Sequence, residues 1–251
     1  MDFENIIVEK KEGIAKITLN RPQVLNALNQ QTFSEIQAAL EDIGKDDSVG
    51  VVLITGAGRA FSAGLDIKAL SGPREGGDVG DEINKRAWGA IEAIESLPKP
   101  VIAVVNGFCL TGALEVALAC DMIIASENAV FGDTHARWGL RPTWGLSQRL
   151  PRIVGVMKAK ELSFTAETIS AQEAERIGLI NKVVPGERLE EAAQELAGKM
   201  LSNSRGSIAA YKTLINKGMK ADLATGLKIE AETITVIEDT QERLTSFGKK
   251  T

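Results

Sequence analysis

Three short runs of apolar residues constrain this chain more than anything else in it: 51–55 (VVLIT), 101–105 (VIAVV) and 122–125 (MIIA). Each is too short for a core helix and has no polar alternation, which is the pattern of a strand buried on both faces. Such strands belong to parallel sheets, and each parallel pair needs a crossover of a dozen residues or more, usually helical. The intervening sequence supplies these crossovers. Phe33, Ile36, Leu40 and Ile43 recur at helical spacing, with Thr32 predicted as the N-cap and Glu35 completing a capping box. A second helix is predicted over Asp81 to Leu97, stopped by Pro98 and Pro100. Upstream, Ile14 to Leu19 alternates at period two and reads as a half-buried strand. The alternation of strand and helix defines an α/β fold.

The last third changes character. Ser170 to Glu173 forms another capping-box signature, and the chain then reads as helix, a short strand over Leu179 to Val184 closed by Pro185, and helices to the end. Helical patterns cover 187–201, 208–217 and about 222–238, with no strand between them. A core of residues 1–195 followed by a helical region, 196–251, is therefore expected. The Gly-rich polar stretch 71–80 is the one segment that reads as a mobile loop.

Scarcity narrows the chemistry. The chain has 1 histidine, His135, and 2 cysteines, Cys109 and Cys120. That excludes a Cys/His zinc site, an HExxH pair and a disulfide framework; a metal could sit only on carboxylates, and none is expected. Triad-like or Cys-His catalysis would have to use His135. The net charge is −5 and the basic residues are scattered, so no nucleic-acid partner is expected. The first residues lack a basic, apolar leader and no run approaches a membrane span, so a soluble cytoplasmic protein is expected.

Two turns rich in small residues follow the buried strands. The first, 55–66 (TGAGRAFSAGLD), fails as a dinucleotide fingerprint because Phe61 stands where a third glycine is needed. It also fails as a nucleophile elbow: Ala60 replaces the first glycine, and Ser62 lies several residues beyond the strand. What remains is either a plain tight turn or one whose small residues Ala63 and Gly64 let backbone N–H groups face a ligand. In the second turn Gly112 precedes a helix with Glu115 in its first turn, and free N–H groups there can hold an oxyanion. Glu115 has two readings. Its apolar neighbours Leu114, Val116 and Leu118 would raise its pKa toward the range useful for proton transfer; alternatively, it points into water and complements the helix dipole.

Taken together, the 60–67 segment (AFSAGLDI), 99–107 (KPVIAVVNG), Gly112 to Glu115, Asp121 and the Phe131-Gly132 pair resemble the enoyl-CoA hydratase/isomerase, or crotonase, superfamily, and the likeness runs from Ile17 to Phe247. The resemblance implies a spiral of ββα units with a C-terminal helical region that assembles homotrimers, often paired into homohexamers. It implies an acyl-CoA substrate, coenzyme A being part of that substrate and no separate cofactor being used. The family's oxyanion hole carries over to the N–H groups of Ala63 and Gly112. CoA would lie along Leu25 to Ala27 and Ala63 to Lys68, including Asp66, which braces the turn, and Ile67. Lys249 and Lys250 either meet CoA phosphates or are solvated.

Hydratases that this chain resembles use two glutamates around one water. The first matches Glu115; the second lies in a Phe-Gly-x-Pro-Glu pattern, which here reads Phe131-Gly132-Asp133-Thr134-His135. Three accounts of His135 stand: general acid/base in place of the second glutamate, a pocket residue beside a lone Glu115, or a structural histidine paired with Asp133 or Asp121. Trp138 and Trp144 line the acyl pocket or simply pack the core, and acyl selection is expected to depend on them, on Phe108 and on the loop 71–86. The implied activity is hydration of a 2-enoyl-CoA. Double-bond isomerisation, thioester hydrolysis and acyl-CoA binding with little turnover are its alternatives.

Overall fold

The computed structural model describes residues 2–69 and 77–247. The glycine-rich segment through residue 76, with Lys249 and Lys250, lies outside the described residues. Strand β1 (Ile6–Lys11) pairs antiparallel with β2 (Ile14–Leu19), and α1 (Gln30–Gly44) follows. A unit of long strand, short strand and helix then repeats. It runs first as β3 (Val51–Gly56), β4 (Ala60–Ser62) and α2 (Asp81–Ser96), and next as β5 (Val101–Val105), β6 (Phe108–Leu110) and α3 (Gly112–Ala117). The third round has β7 (Met122–Ser126) and β8 (Val130–Gly132), followed by α4 (Leu146–Val154) and α5 (Val156–Thr165). After β9 (Thr168–Ser170), α6 (Ala171–Arg176) and β10 (Lys182–Val184) come α7 (Leu189–Leu201), α8 (Arg205–Gly218), α9 (Leu223–Glu232) and α10 (Thr240–Phe247).

The two strands of each unit enter different sheets. The long strands form one of order β1-β2-β3-β5-β7-β10, and the short ones form another of order β4-β6-β8-β9. From β2 onward the large sheet is parallel, and β4, β6 and β8 are parallel to one another. This is the expected ββα spiral.

Alternation along the long strands explains why they read as unbroken apolar runs. Val52, Ile54, Ala103 and Val105 pack with Phe33, Ile36 and Leu40 of α1 and Ile91 and Ile94 of α2. Val51, Leu53, Ile102, Val104 and Ile124 point the other way, under Leu189, Ala193 and Ala197 of α7. Each strand thus serves two cores, and each fully buried Val, Leu or Ile contributes about 1.5–3 kcal/mol. None of the described helices is long and apolar enough to cross a membrane.

Several expectations change; the strand expected over 179–184 shortens to β10, and the helix expected to about 238 ends at Glu232. Thr32 is not the N-cap of α1: Asn29 Oδ1 accepts from Thr32 N at 2.8 Å and lies 2.9 Å from its hydroxyl, so the helix starts a turn earlier and Thr32 is buried. Glu35 completes no capping box, because its carboxylate accepts from Glu4 N and Asn5 N at 2.9 and 2.8 Å and pins the N-terminal segment. Asparagine caps as well as threonine, so pattern alone could not choose between neighbouring caps. The boundary expected at 195/196 falls inside α7, whose Ala193 and Ala197 are both buried against the sheet, so that helix belongs to the core. At Ser170 the expected cap is present, with Ser170 Oγ accepting from Glu173 N at 3.2 Å.

Helix α8 is tied down by one buried cation. Lys212 Nζ donates to the carbonyls of Ile94 and Lys99 at 2.9 and 3.1 Å and to Asp121 Oδ2 at 2.8 Å, while Asp121 also accepts from Val101 N at 2.7 Å. Burial pushes the Asp121 carboxyl upward and Lys212 opposes that shift. Removing one partner of such a pair leaves a charge without compensation. Lys212→Met is expected to destabilise the chain by about 1–3 kcal/mol, discounted for the partial exposure of Asp121. Adding Asp121→Asn should recover part of that loss, both read from urea unfolding midpoints.

Candidate active site

The carboxyl ends of β4, β6 and β8 lie side by side because these strands are parallel neighbours. Three segments far apart in sequence therefore meet: 63–66 after β4, 111–115 after β6 and 133–135 after β8. Ligands in α/β proteins bind at such strand ends.

The first two segments nearly touch. Gly64 has φ +93°, and a Cβ placed on it would lie 2.6 Å from the Leu110 carbonyl oxygen and 3.3 Å from Gly112 N, so only glycine permits this approach. Residues 25–28 run along the first turn: Ala63 N donates to Leu25 O at 2.9 Å, Leu28 N to Gly64 O at 2.7 Å and Asp66 N to Leu28 O at 2.8 Å. This corrects the expected donor set. The Ala63 N–H already serves the Leu25 carbonyl, whereas Leu65 N–H has no partner among the described residues. No residue type could have signalled the shift, because every non-proline residue carries the same backbone N–H. Asp66 braces the turn by accepting from Arg21 Nη1 at 2.9 Å, a guanidinium that also donates to Ala27 O.

Gly112 opens α3, and its N–H likewise has no partner among the described residues. Thr111 before it has φ +55° and ψ −114°, a strained backbone for a β-branched residue, and its hydroxyl lies 2.5 Å from that of Thr134. The sequence reading missed both threonines. The fixed backbone of Thr111 sets the direction in which the Gly112 N–H points.

Glu115 does not point into water; it is 1% exposed. Its Oε1 accepts from Trp144 N at 2.9 Å and Leu146 N at 3.0 Å. Its Oε2 is buried without a hydrogen-bond partner and lies 3.6 Å from His135 Nε2, wider than a hydrogen bond. Burial raises the Glu115 carboxyl above the ordinary carboxylate range, and the nearby imidazole and the two backbone donors only partly offset it. His135 is buried too, with Nδ1 2.7 Å from Asp133 Oδ1; Asp121, the other partner considered, is engaged by Lys212. A carboxyl and an imidazole converging beside unpartnered N–H groups can polarise a carbonyl and move protons next to it.

The remaining candidates divide. Trp144 is 2% exposed and clamped through each polar group: N to Glu115, O to Arg149 and Nε1 to Asn84 Oδ1, with its ring edge-on to Phe33 at 4.9 Å. A Cβ on Gly112 would come within 2.3 Å of that ring. Trp138, 61% exposed, is not brought to the strand ends as part of a packed wall. Phe108 heads β6, at the end away from Thr111, so the structure does not gather it with the three turns. Ile67 and Lys68 are exposed on a 3-10 turn that continues from Asp66, beside the half-buried Leu25 and buried Ala27.

Fold and strand-end site together define a crotonase-type protein. Residues 9–250 match the family model described as enoyl-CoA hydratase/isomerase. The chain is 41% identical to a short-chain-enoyl-CoA hydratase of Clostridium acetobutylicum and 40% identical to a crotonyl-CoA hydratase of Syntrophomonas wolfei, in each case over 100% of this chain and 97% of the relative. It superposes on the crystal structure of an enoyl-CoA hydratase from Bacillus anthracis with a TM-score of 0.91 and 39% identity, covering 98% and 97% of the two chains. The chain belongs to the enoyl-CoA hydratase/isomerase family.

Gly112→Ala should overpack against Trp144 and destabilise the fold by about 1–3 kcal/mol. Trp144→Leu in the same chain is expected to relieve part of that loss, and strict additivity of the two effects in thermal unfolding would contradict the packing described.

Proposed function

We propose that this protein hydrates 2-enoyl-CoA thioesters to 3-hydroxyacyl-CoA. The observation that carries this reading is the buried Glu115 Oε2, unpartnered and 3.6 Å from His135 Nε2, three residues along the helix that begins with the free Gly112 N–H. Leu65 N–H and Gly112 N–H receive the thioester oxygen. As the water oxygen bonds to C3, the electron pair of the double bond moves toward C2 and the thioester oxygen, where the two N–H groups stabilise the enolate. One of Glu115 and His135 takes a proton from the water and the other delivers one to C2, so the sum is the addition of H and OH. Each oxyanion donor is worth about 2.7–4 kcal/mol to the transition state. CoA is bound as part of the substrate along 25–28 and the turn that ends at Lys68, two segments already joined by backbone hydrogen bonds.

The same reading includes self-association. Tyr211, Ile215, Leu223, Leu227, Ile234 and Phe247 in the C-terminal helices and their connections are exposed, an apolar surface that a homotrimer or homohexamer would cover.

Steady-state hydration of crotonyl-CoA is the direct test. Glu115→Gln should lower kcat by about 10²–10⁴-fold while butyryl-CoA, which lacks the double bond, still binds by calorimetry. Unchanged turnover in that variant would overturn its role. Recovery of a shifted double bond or of free CoA as the main product would replace hydration by isomerisation or hydrolysis. Light scattering in solution should return a multiple of three 26.8 kDa chains.

A further inference from the structure

The substitution of histidine for an expected glutamate raises a question of charge as well as shape. A glutamate at position 135 would alternate between −1 and 0 as it gives and takes a proton. Imidazole alone would alternate between 0 and +1, which would change the net charge beside the enolate and the carboxyl of Glu115. The structure supplies the missing charge two residues away. Asp133 is 3% exposed; its Oδ1 lies 2.7 Å from His135 Nδ1 and accepts the His135 backbone N–H at 3.2 Å. An ionised Asp133 with neutral imidazole carries −1, and with imidazolium it carries 0, the same two states as a glutamate.

We propose that Asp133 and His135 act together as the electrical equivalent of one glutamate, with Asp133 as a positioning residue that keeps the proton on Nδ1 and turns Nε2 toward Glu115. The proposal rests on the hydration reading for its kinetic consequence, but its geometry is independent of any substrate. Among the described residues Nδ1 has one hydrogen-bond partner, a carboxylate oxygen that when ionised only accepts, so the neutral ring must carry its proton there. Nε2 is then the atom that exchanges a proton, and it is this atom that lies 3.6 Å from Glu115 Oε2.

Both requirements of the unit are met locally. Asp133 must stay ionised although buried, and its carboxyl is held below the ordinary range: burial raises it, but hydrogen bonds from the His135 ring and from Ser163 outweigh that effect. The ring must also be held, and it sits at the start of a 3-10 turn that follows β8, with Thr134 between the two residues anchored to Thr111. Among the described residues, the titratable side chains facing the ring are Asp133 from its own segment and Glu115 from α3. One short segment thereby orients the imidazole through Asp133 and touches the strained residue before Gly112 through Thr134.

Because His135 is the sole histidine in 251 residues, an imidazole nitrogen spectrum of the histidine-labelled protein reports this ring and no other. At alkaline pH, with the ring neutral, the spectrum should show the proton on Nδ1. Asp133→Asn, nearly isosteric but able to donate to Nδ1, should move that proton to Nε2. It should also lower kcat for crotonyl-CoA by about 10²–10⁴-fold with KM changed by less than about threefold. A proton found on Nε2 in the unmodified protein would overturn the proposal. So would an Asp133→Asn variant with unaltered kcat, or one whose kcat and thermal stability fall while the ring tautomer stays the same. If the unmodified protein hydrates no enoyl-CoA and yet carries the Nδ1 proton lost in Asp133→Asn, the paired unit stands and the hydration reading fails.

Discussion

The parallel pairing of three short strands, β4, β6 and β8, is the constraint on which the site depends. Each has only three residues, so none is stable by itself. They hold register because each is the continuation of a long strand locked in the large sheet, where β3, β5 and β7 are buried on both faces. Parallel neighbours cannot be joined by hairpins, so every return requires a crossover. The crossovers separate the three strand ends in sequence while the hydrogen-bond ladder keeps them adjacent in space. Loops 63–66, 111–115 and 133–135 converge for that reason.

Within the site the decisive balance is electrostatic. A carboxylate as buried as Glu115 would normally be neutralised or paired. Here one oxygen is satisfied by two backbone donors, Trp144 N and Leu146 N, and the other has no hydrogen-bond partner among the described residues and lies 3.6 Å from His135 Nε2. The first oxygen anchors the group and the second remains available. Trp144 enforces the arrangement, since its backbone holds Glu115 while its ring packs over Gly112 and against Phe33. The Glu115 carboxyl and the N–H at the helix start are thus positioned by a single residue.

Much of the fold was legible in the letters because burial on two faces leaves an unmistakable signature: 51–55, 101–105 and 122–125 are strands as read. The short strands were not legible, since three residues carry no periodicity. The start of α1 was misread because Asn29 and Thr32 are equally good caps, and only the destination of Glu35, the amides of Glu4 and Asn5, separates them. Of the candidate residues, Glu115, His135 and Gly112 stand out in the sequence by residue type, and the fold brings them to one place. Backbone groups were found only approximately. In the turn that holds Ala63, the N–H without a partner among the described residues is that of Leu65.

The sequence by itself determined the order of the long buried strands and the helices between them, the family motifs and the uniqueness of His135, because these follow from side-chain type and spacing. Tertiary structure alone decided which N–H groups remain unpartnered, that Glu115 is buried and not solvated, and that His135 faces Asp133 through one nitrogen and Glu115 through the other. The reason is physical. A hydrogen bond taken by one partner is denied to another, and desolvation depends on what packs above a group. Both are settled only when segments separated by whole crossovers come to lie side by side.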